Sequence, residues 1–213
     1  MKILGLLAGA ALLLGAQSAH AVSITNGSFE LGTAPNAAIG FTALGAGAPD
    51  ITGWTIGHAG VDYIGTAWQA SDGARSVDMS NLDAGSLSQE LNGLTIGQDY
   101  TVSFDMAGNP TGSPALKTMQ VSVSGVLPKL YAFDVTGHDK DNMGWARFVY
   151  TFTATATSGT LEFLSLVHTA NGPALDNVSI AATPIPGAIL LFGSALSGMG
   201  FLGYRRKKLE AAA

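Results

Sequence analysis

The 213-residue chain contains no cysteine. Disulfide stapling, thiolate catalysis, zinc fingers and iron–sulfur clusters are excluded with it. Charge is scarce too, at 12% Asp, Glu, Lys and Arg, and the basic sign is the scarcer. Of ten basic residues, Lys2, Arg205, Arg206, Lys207 and Lys208 take five. Of fifteen acidic ones, Glu210 takes one. Residues 22–182 therefore hold five basic and fourteen acidic side chains, a net charge of −9. A surface this acidic does not track a phosphate backbone, so nucleic-acid binding is excluded. Hydrolase signatures are missing as well. No Gly-x-Ser-x-Gly elbow occurs, His58, His138 and His168 lack a serine–aspartate context, and Glu30, Glu90 and Glu162 show no acid/base pairing. A sustained helical period is absent between residues 22 and 182.

What is present is β-sheet text. Tyr100, Val102, Phe104 and Met106 alternate with Thr101, Ser103 and Asp105. Met119, Val121 and Val123 repeat the period of two, as do Phe148, Tyr150 and Phe152. Asn26-Gly27, Asp72-Gly73, Asn92-Gly93, Gly108-Asn109-Pro110, Ser124-Gly125 and Asn171-Gly172-Pro173 punctuate the runs as turns. About nine strands are expected, in an all-β, antiparallel two-sheet jelly-roll sandwich. Residues 33–49 read as a long loop with one short strand.

The two ends differ from this centre. Met1 and Lys2 precede an apolar and glycine run over residues 3–16, and Ala19-His20-Ala21 fits a signal-peptidase site. Residues 1–21 thus read as a signal peptide, and export is expected. Pro184 and Pro186 close the last strand. Residues 187–204 then form a weakly hydrophobic span just long enough for a transmembrane helix, stopped by Arg205-Arg206-Lys207-Lys208 on the cytoplasmic side. Residues 209–213 are a tail.

This C-terminal segment, 183–208, resembles the PEP-CTERM sorting signal of Gram-negative bacteria in its proline motif Thr183-Pro184-Ile185-Pro186, its Leu191-Phe192-Gly193-Ser194 start and its basic cluster beginning at Arg205 and Arg206. The glutamate of the eponymous Pro-Glu-Pro is replaced. The resemblance implies recognition by an exosortase-like processing enzyme and delivery to the cell surface. A plain membrane anchor is the alternative. Residues 22–182 resemble the bacterial choice-of-anchor C family in Asn26-Gly27-Ser28-Phe29-Glu30, Ile51-Thr52-Gly53-Trp54, Val61-Asp62-Tyr63-Ile64-Gly65, Trp68-Gln69-Ala70-Ser71-Asp72-Gly73, Ser76-Val77-Asp78-Met79 and Ala174-Leu175-Asp176-Asn177-Val178. That resemblance implies a galactose-binding-like jelly roll, similar in appearance to plant cell-wall proteins and carbohydrate-binding modules. In modules that open and close in this way, first and last strands lie side by side and a structural calcium ion is held by carboxylates that correspond here to Glu30 and Asp176. Closure of turns by backbone hydrogen bonds is the other role open to that pair.

Three tryptophans raise the question of sugar stacking. Trp54 and Trp145 sit at strand starts and read as core. Trp68 lies in polar, loop-like text and, with Tyr63 beside it, is the candidate ligand contact, packing being the alternative. The expected function is a non-catalytic cell-surface or matrix module binding polysaccharide or another surface component. A structural or adhesive matrix protein without a defined glycan is the alternative, and an uncharacterised hydrolase a further one. Exposure of Trp68 beside a groove favours the first. Burial of Trp68 under smooth polar faces favours the second. A hydrolase needs a pocket with paired carboxylates, and none is expected.

Overall fold

The computed structural model describes residues 22–183. Eleven strands follow in order: β1 (Phe41–Leu44), β2 (Thr55–His58), β3 (Val61–Ile64), β4 (Ser76–Asp78), β5 (Gly85–Asn92), β6 (Asp99–Gly108), β7 (Leu116–Val123), β8 (Lys129–Asp134), β9 (Ala146–Thr153), β10 (Ser158–Ser165) and β11 (Pro173–Ala182). They form two antiparallel sheets, β1-β3-β4-β11-β6-β9 and β2-β5-β10-β7-β8. The molecule is a jelly-roll sandwich. The alternating residues of β6 meet the core as expected, with Tyr100, Val102, Phe104 and Met106 all buried. Phe104 packs edge-on against Phe163 of β10, which ties the two sheets through one aromatic contact. Residues 33–49 are irregular apart from β1.

The first and last strands are not neighbours, contrary to the expectation carried by the resemblance. β3 and β4 lie between β1 and β11. What reaches β11 is the segment ahead of β1, where the Val178 N–H donates to the Gly27 carbonyl at 2.8 Å. Gly27 admits this because a Cβ there would lie 1.9 Å from the Val178 carbonyl oxygen. Asn26 closes the turn, donating to the carbonyls of Leu31 and Thr52 and accepting from the Leu31 N–H.

The five-stranded sheet presents a polar outer face, with Ser88, Glu90, Gln120, Ser122, Thr160 and Glu162 on it by register. The six-stranded sheet does not. Part of its outer face is covered by the loop of residues 66–75 and by segments around Asn109, Lys140 and Asn171, so Asp78, Asp105 and Asp176 are buried there, while Arg147, Val149 and Thr151 of β9 and Ser179 of β11 stay exposed.

Candidate functional site

Strand alternation sends Tyr63, Val77, Leu175 and Met106 into the core, and their neighbours Asp62, Asp78, Asp176 and Asp105 to the opposite face. Four aspartates from β3, β4, β11 and β6 thus lie under the covering loops. Three of them hold the cover in place. Asp176 accepts from the backbone N–H groups of Ser71 (2.8 Å), Asp72 (2.9 Å) and Asn177 (2.7 Å). The register shift between Asp176 and Ser179, with Asn177 at φ 51°, turns the carboxylate toward that loop. Asp105 accepts from the Ser71 hydroxyl, the Asn177 amide and the Arg147 guanidinium. Asp78 accepts from the Asn109 amide (2.9 Å) on one oxygen and from the Ser80 and Gly172 N–H groups on the other.

Asp62 is the exception. Its Oδ1 is buried and has no hydrogen-bond partner. It sits directly across from Asp78 in the β3–β4 register, where like charges repel. Burial pushes the Asp62 carboxyl up to about 7. Burial pushes Asp78 to about 7 as well. The Asn109, Ser80 and Gly172 donors oppose that rise, and the Asp62 charge adds to it. Both line a recess of about 240 Å³, walled on its apolar side by Phe41, Ile64 and Trp68 and on its polar side by Asn109, Asn171 and Lys140. Among the described residues the ion pairs are Arg147–Asp105 and His168–Asp83, so no cation is paired with either recess carboxylate. Behind the recess Lys117 is fully buried. Its ammonium donates to the carbonyls of Gly112 (2.8 Å) and Asn171 (2.6 Å) and holds both loops at the rim. Burial lowers its pKa, and the Asp78 charge works against that.

A family model described as "Protein of unknown function (DUF642)" matches residues 22–181. The chain belongs to the DUF642 family. Halomucin of Haloquadratum walsbyi is 27% identical to it over 189 residues, which are 87% of this chain and 2% of halomucin. The activity of that very long relative as a whole is therefore not carried over. Among solved structures, the DUF642 domain is similar to TmCBM61 in complex with beta-1,4-galactotriose, with a TM-score of 0.45 and 17% identity over 65% of this chain and 92% of that one. A family 35 carbohydrate binding module from Clostridium thermocellum gives a TM-score of 0.45 and 17% identity over 65% and 97%. Likeness at this level carries nothing about ligands.

Several expected site residues have other duties in the DUF642 domain. Tyr63 is fully buried, donates its hydroxyl hydrogen to the Phe29 carbonyl and accepts from Arg75. It is a core residue, and no ring face is left for a ligand, which corrects the reading of its sequence. Trp68 is only 6% exposed and its indole N–H donates to Ser76 at 2.9 Å. Its loop-like text is correct, but the loop lies flat on the sheet, so Trp68 walls the recess from within and offers no open platform. Trp54 is core as expected, whereas Trp145 is half-buried and donates to the Gln69 carbonyl.

Glu30 and Asp176 serve one loop from two sides. Glu30 accepts from the N–H groups of Ala74 (2.8 Å) and Arg75 (2.7 Å). Gly73, at φ +69°, makes the approach, since a Cβ would lie 2.5 Å from the Glu30 carboxylate. Calcium needs six to eight oxygens, and here N–H donors point at the carboxylates instead. Burial pushes Asp176 up to about 7, with the three N–H donors opposing. Among the described residues no group of three or more His, Asp or Glu could hold a metal ion. This donor set does not fit a cation shared by Glu30 and Asp176. The expected signal peptide, Pro184, Pro186, Arg205, Arg206 and the expected transmembrane helix lie outside the described residues.

Asp62, Asp78, Asn109, Asn171 and Lys117 were not singled out by sequence reasoning. A signal did exist. Asp is disfavoured within strands, yet Val-Asp-Tyr-Ile and Ser-Val-Asp-Met each place one at an outward position. Period two reads such residues as solvated, because it carries no information about a loop laid over the sheet.

Proposed function

We propose that the chain is an exported, non-catalytic module of the cell surface or extracellular matrix that binds polysaccharide through the Asp62 recess. One observation carries the reading: Asp62, a half-buried carboxylate whose Oδ1 has no protein partner, lines a recess that also has an aromatic wall. A hydroxyl-bearing ligand in the recess would donate to the accessible part of this carboxylate. Sugars present both hydroxyl donors and an apolar ring face, which suits Asp62 on one side and Trp68 and Phe41 on the other. At about 240 Å³ the recess is smaller than ordinary pockets for drug-sized ligands, in keeping with one sugar unit at a time. Export rests on the residues of the two ends. The PEP-CTERM-like tail supports handling by an exosortase-like enzyme, and residues 22–182 suit the choice-of-anchor C family.

Two other readings have an observation each. A matrix component that recognises proteins or itself is favoured by the burial of Trp68 and by the Ser, Thr and Gln face of the five-stranded sheet. A hydrolase is favoured by the opposed carboxylates Asp62 and Asp78, a pair unforeseen in the sequence. Glycoside hydrolysis needs two carboxyl groups that flank the scissile bond. Asp78 has no exposed surface and both its oxygens are engaged, so only Asp62 can touch a substrate. Catalysis is disfavoured on that ground.

The test is a glycan array probed with the full chain in mild detergent, beside the Asp62→Ala variant. Binding to a defined glycan class, at least tenfold weaker in the variant and without release of shorter oligosaccharides, is the expected result. A blank array from a folded chain moves the reading to a matrix protein. Product release moves it to a hydrolase.

A further inference from the structure

Resting on that reading, we propose that the Asp62 recess selects a sugar unit that carries a free, protonated amino group, and rejects uronic and sulfated sugars. The recess presents two carboxylates facing each other across β3 and β4. Three of the four aspartates on this face have their acceptors filled by loop donors or by Arg147, whereas Asp62, half-buried and lining the recess, has no protein partner for its Oδ1. An ammonium group answers both features, because it donates to Asp62 and offsets the repulsion from Asp78.

The charged groups around the recess leave Asp62 without a protein cation. Lys140 stands at the rim, exposed, with no carboxylate within ion-pair distance among the described residues. Lys117 is behind Asp78 and spends its donors on the Gly112 and Asn171 carbonyls. No guanidinium lines the recess, and guanidinium is the group that grips sugar carboxylates and sulfates in pairs of hydrogen bonds. A bare metal ion is a poorer occupant. It would need about six oxygens or more, while Phe41, Ile64 and Trp68 supply apolar wall. Aromatic side chains beside a carboxylate suit an organic cation, whose charge meets the oxygen while its carbon skeleton meets the rings. The raised carboxyls of Asp62 and Asp78 add a consequence: ammonium binding favours their ionised forms and so releases protons near neutral pH.

The experiment is calorimetric titration of the full chain at pH 6, where the glucosamine amines are mostly protonated, with three hexameric probes: fully de-N-acetylated chitosan, the fully N-acetylated chitin oligomer, and oligogalacturonate. Chitosan is expected to bind at least tenfold tighter than chitin. Oligogalacturonate should give no heat, and Asp62→Asn should bring the two aminosugar oligomers to equal affinity. The isosteric amide leaves the fold intact because the replaced oxygen has no protein partner. Repeating the chitosan titration in buffers of different ionisation heat should show proton release in the wild type and less in Asp62→Asn. Equal affinities in the wild type, or tighter oligogalacturonate, overturn the proposal and leave glycan binding standing. Absence of heat with all three probes, together with a blank glycan array, overturns both.

Discussion

At the scale of single residues, the four aspartates on one sheet face have the same chemistry and different fates. Asp62 Oδ1 lacks a donor, whereas three N–H donors to Asp176 offset part of the cost of its burial. The Asp62, Asp78 and Asp176 carboxyls all rise in the folded state from an ordinary 3.8 to about 7. A raised carboxyl contributes stability that is full below the unfolded value and lost as pH climbs to the folded one. On this account the melting temperature falls between pH 4 and pH 7.5. Asp62→Asn should flatten that fall and raise the melting temperature at pH 7.5 by ~3 °C, or about 1 kcal/mol after allowance for the partial exposure of Asp62. Differential scanning fluorimetry across pH checks it, and an unchanged slope would refute the account. Asp176→Ala leaves three N–H groups without their acceptor and should cost about 3 kcal/mol. If the carboxylates clip the loop directly, chelator leaves the wild-type melt unchanged. A chelator-induced drop would restore the calcium reading for Glu30 and Asp176.

At the scale of elements, the covering loops matter more than the strands beneath them. β3, β4, β11 and β6 supply side chains at fixed spacing, and the loops decide whether those side chains see water. Lys117 of β7 links two of the loops through the Gly112 and Asn171 carbonyls. Lys117→Met keeps the stem and removes the ammonium, so residues 109–113 and 169–172 lose their common tie. The expected loss is about 2 kcal/mol. Hydrogen exchange should quicken in those two segments while β6 and β10 keep their protection. Uniform acceleration over all strands would mean that Lys117 holds the whole fold instead of the recess rim. Strand identity was largely legible beforehand, because Tyr100, Val102, Phe104 and Met106 carry the period of two plainly. Short strands such as β4, three residues long, were not. Their pairing comes from partners distant in sequence, and three residues are too few to show a period.

At the scale of the whole molecule, the sandwich has one bare polar face and one partly roofed face, and the candidate site is under the roof. The roofed part buries three carboxylates, Asp78, Asp105 and Asp176, and half-buries a fourth, Asp62. For the chain in its cell, intact-mass measurement of surface-extracted protein is expected to find a start at Val22 and an end near Pro186. Mass that retains Arg205 and Arg206 would mean a membrane anchor kept whole, and would remove the exosortase-like step from the proposal.

The sequence by itself determined what local pattern and composition can determine: an antiparallel β-sandwich, turns at the Asn-Gly and Asp-Gly pairs, and exclusion of thiol chemistry and phosphate-backbone binding. It also marked Glu30 and Asp176 as special, as carboxylates for a metal, whereas Glu30 accepts from the N–H groups of Ala74 and Arg75 and Asp176 from those of Ser71, Asp72 and Asn177. Only the tertiary structure decided that Trp68 is buried, that Tyr63 belongs to the core, and that Asp62 lacks a partner in a recess. The reason is physical. Alternation along a strand reports which face a residue occupies, and whether that face meets solvent depends on segments far off in the chain, such as Lys140 bonded by Gln69 and Asp176 bonded by Ser71.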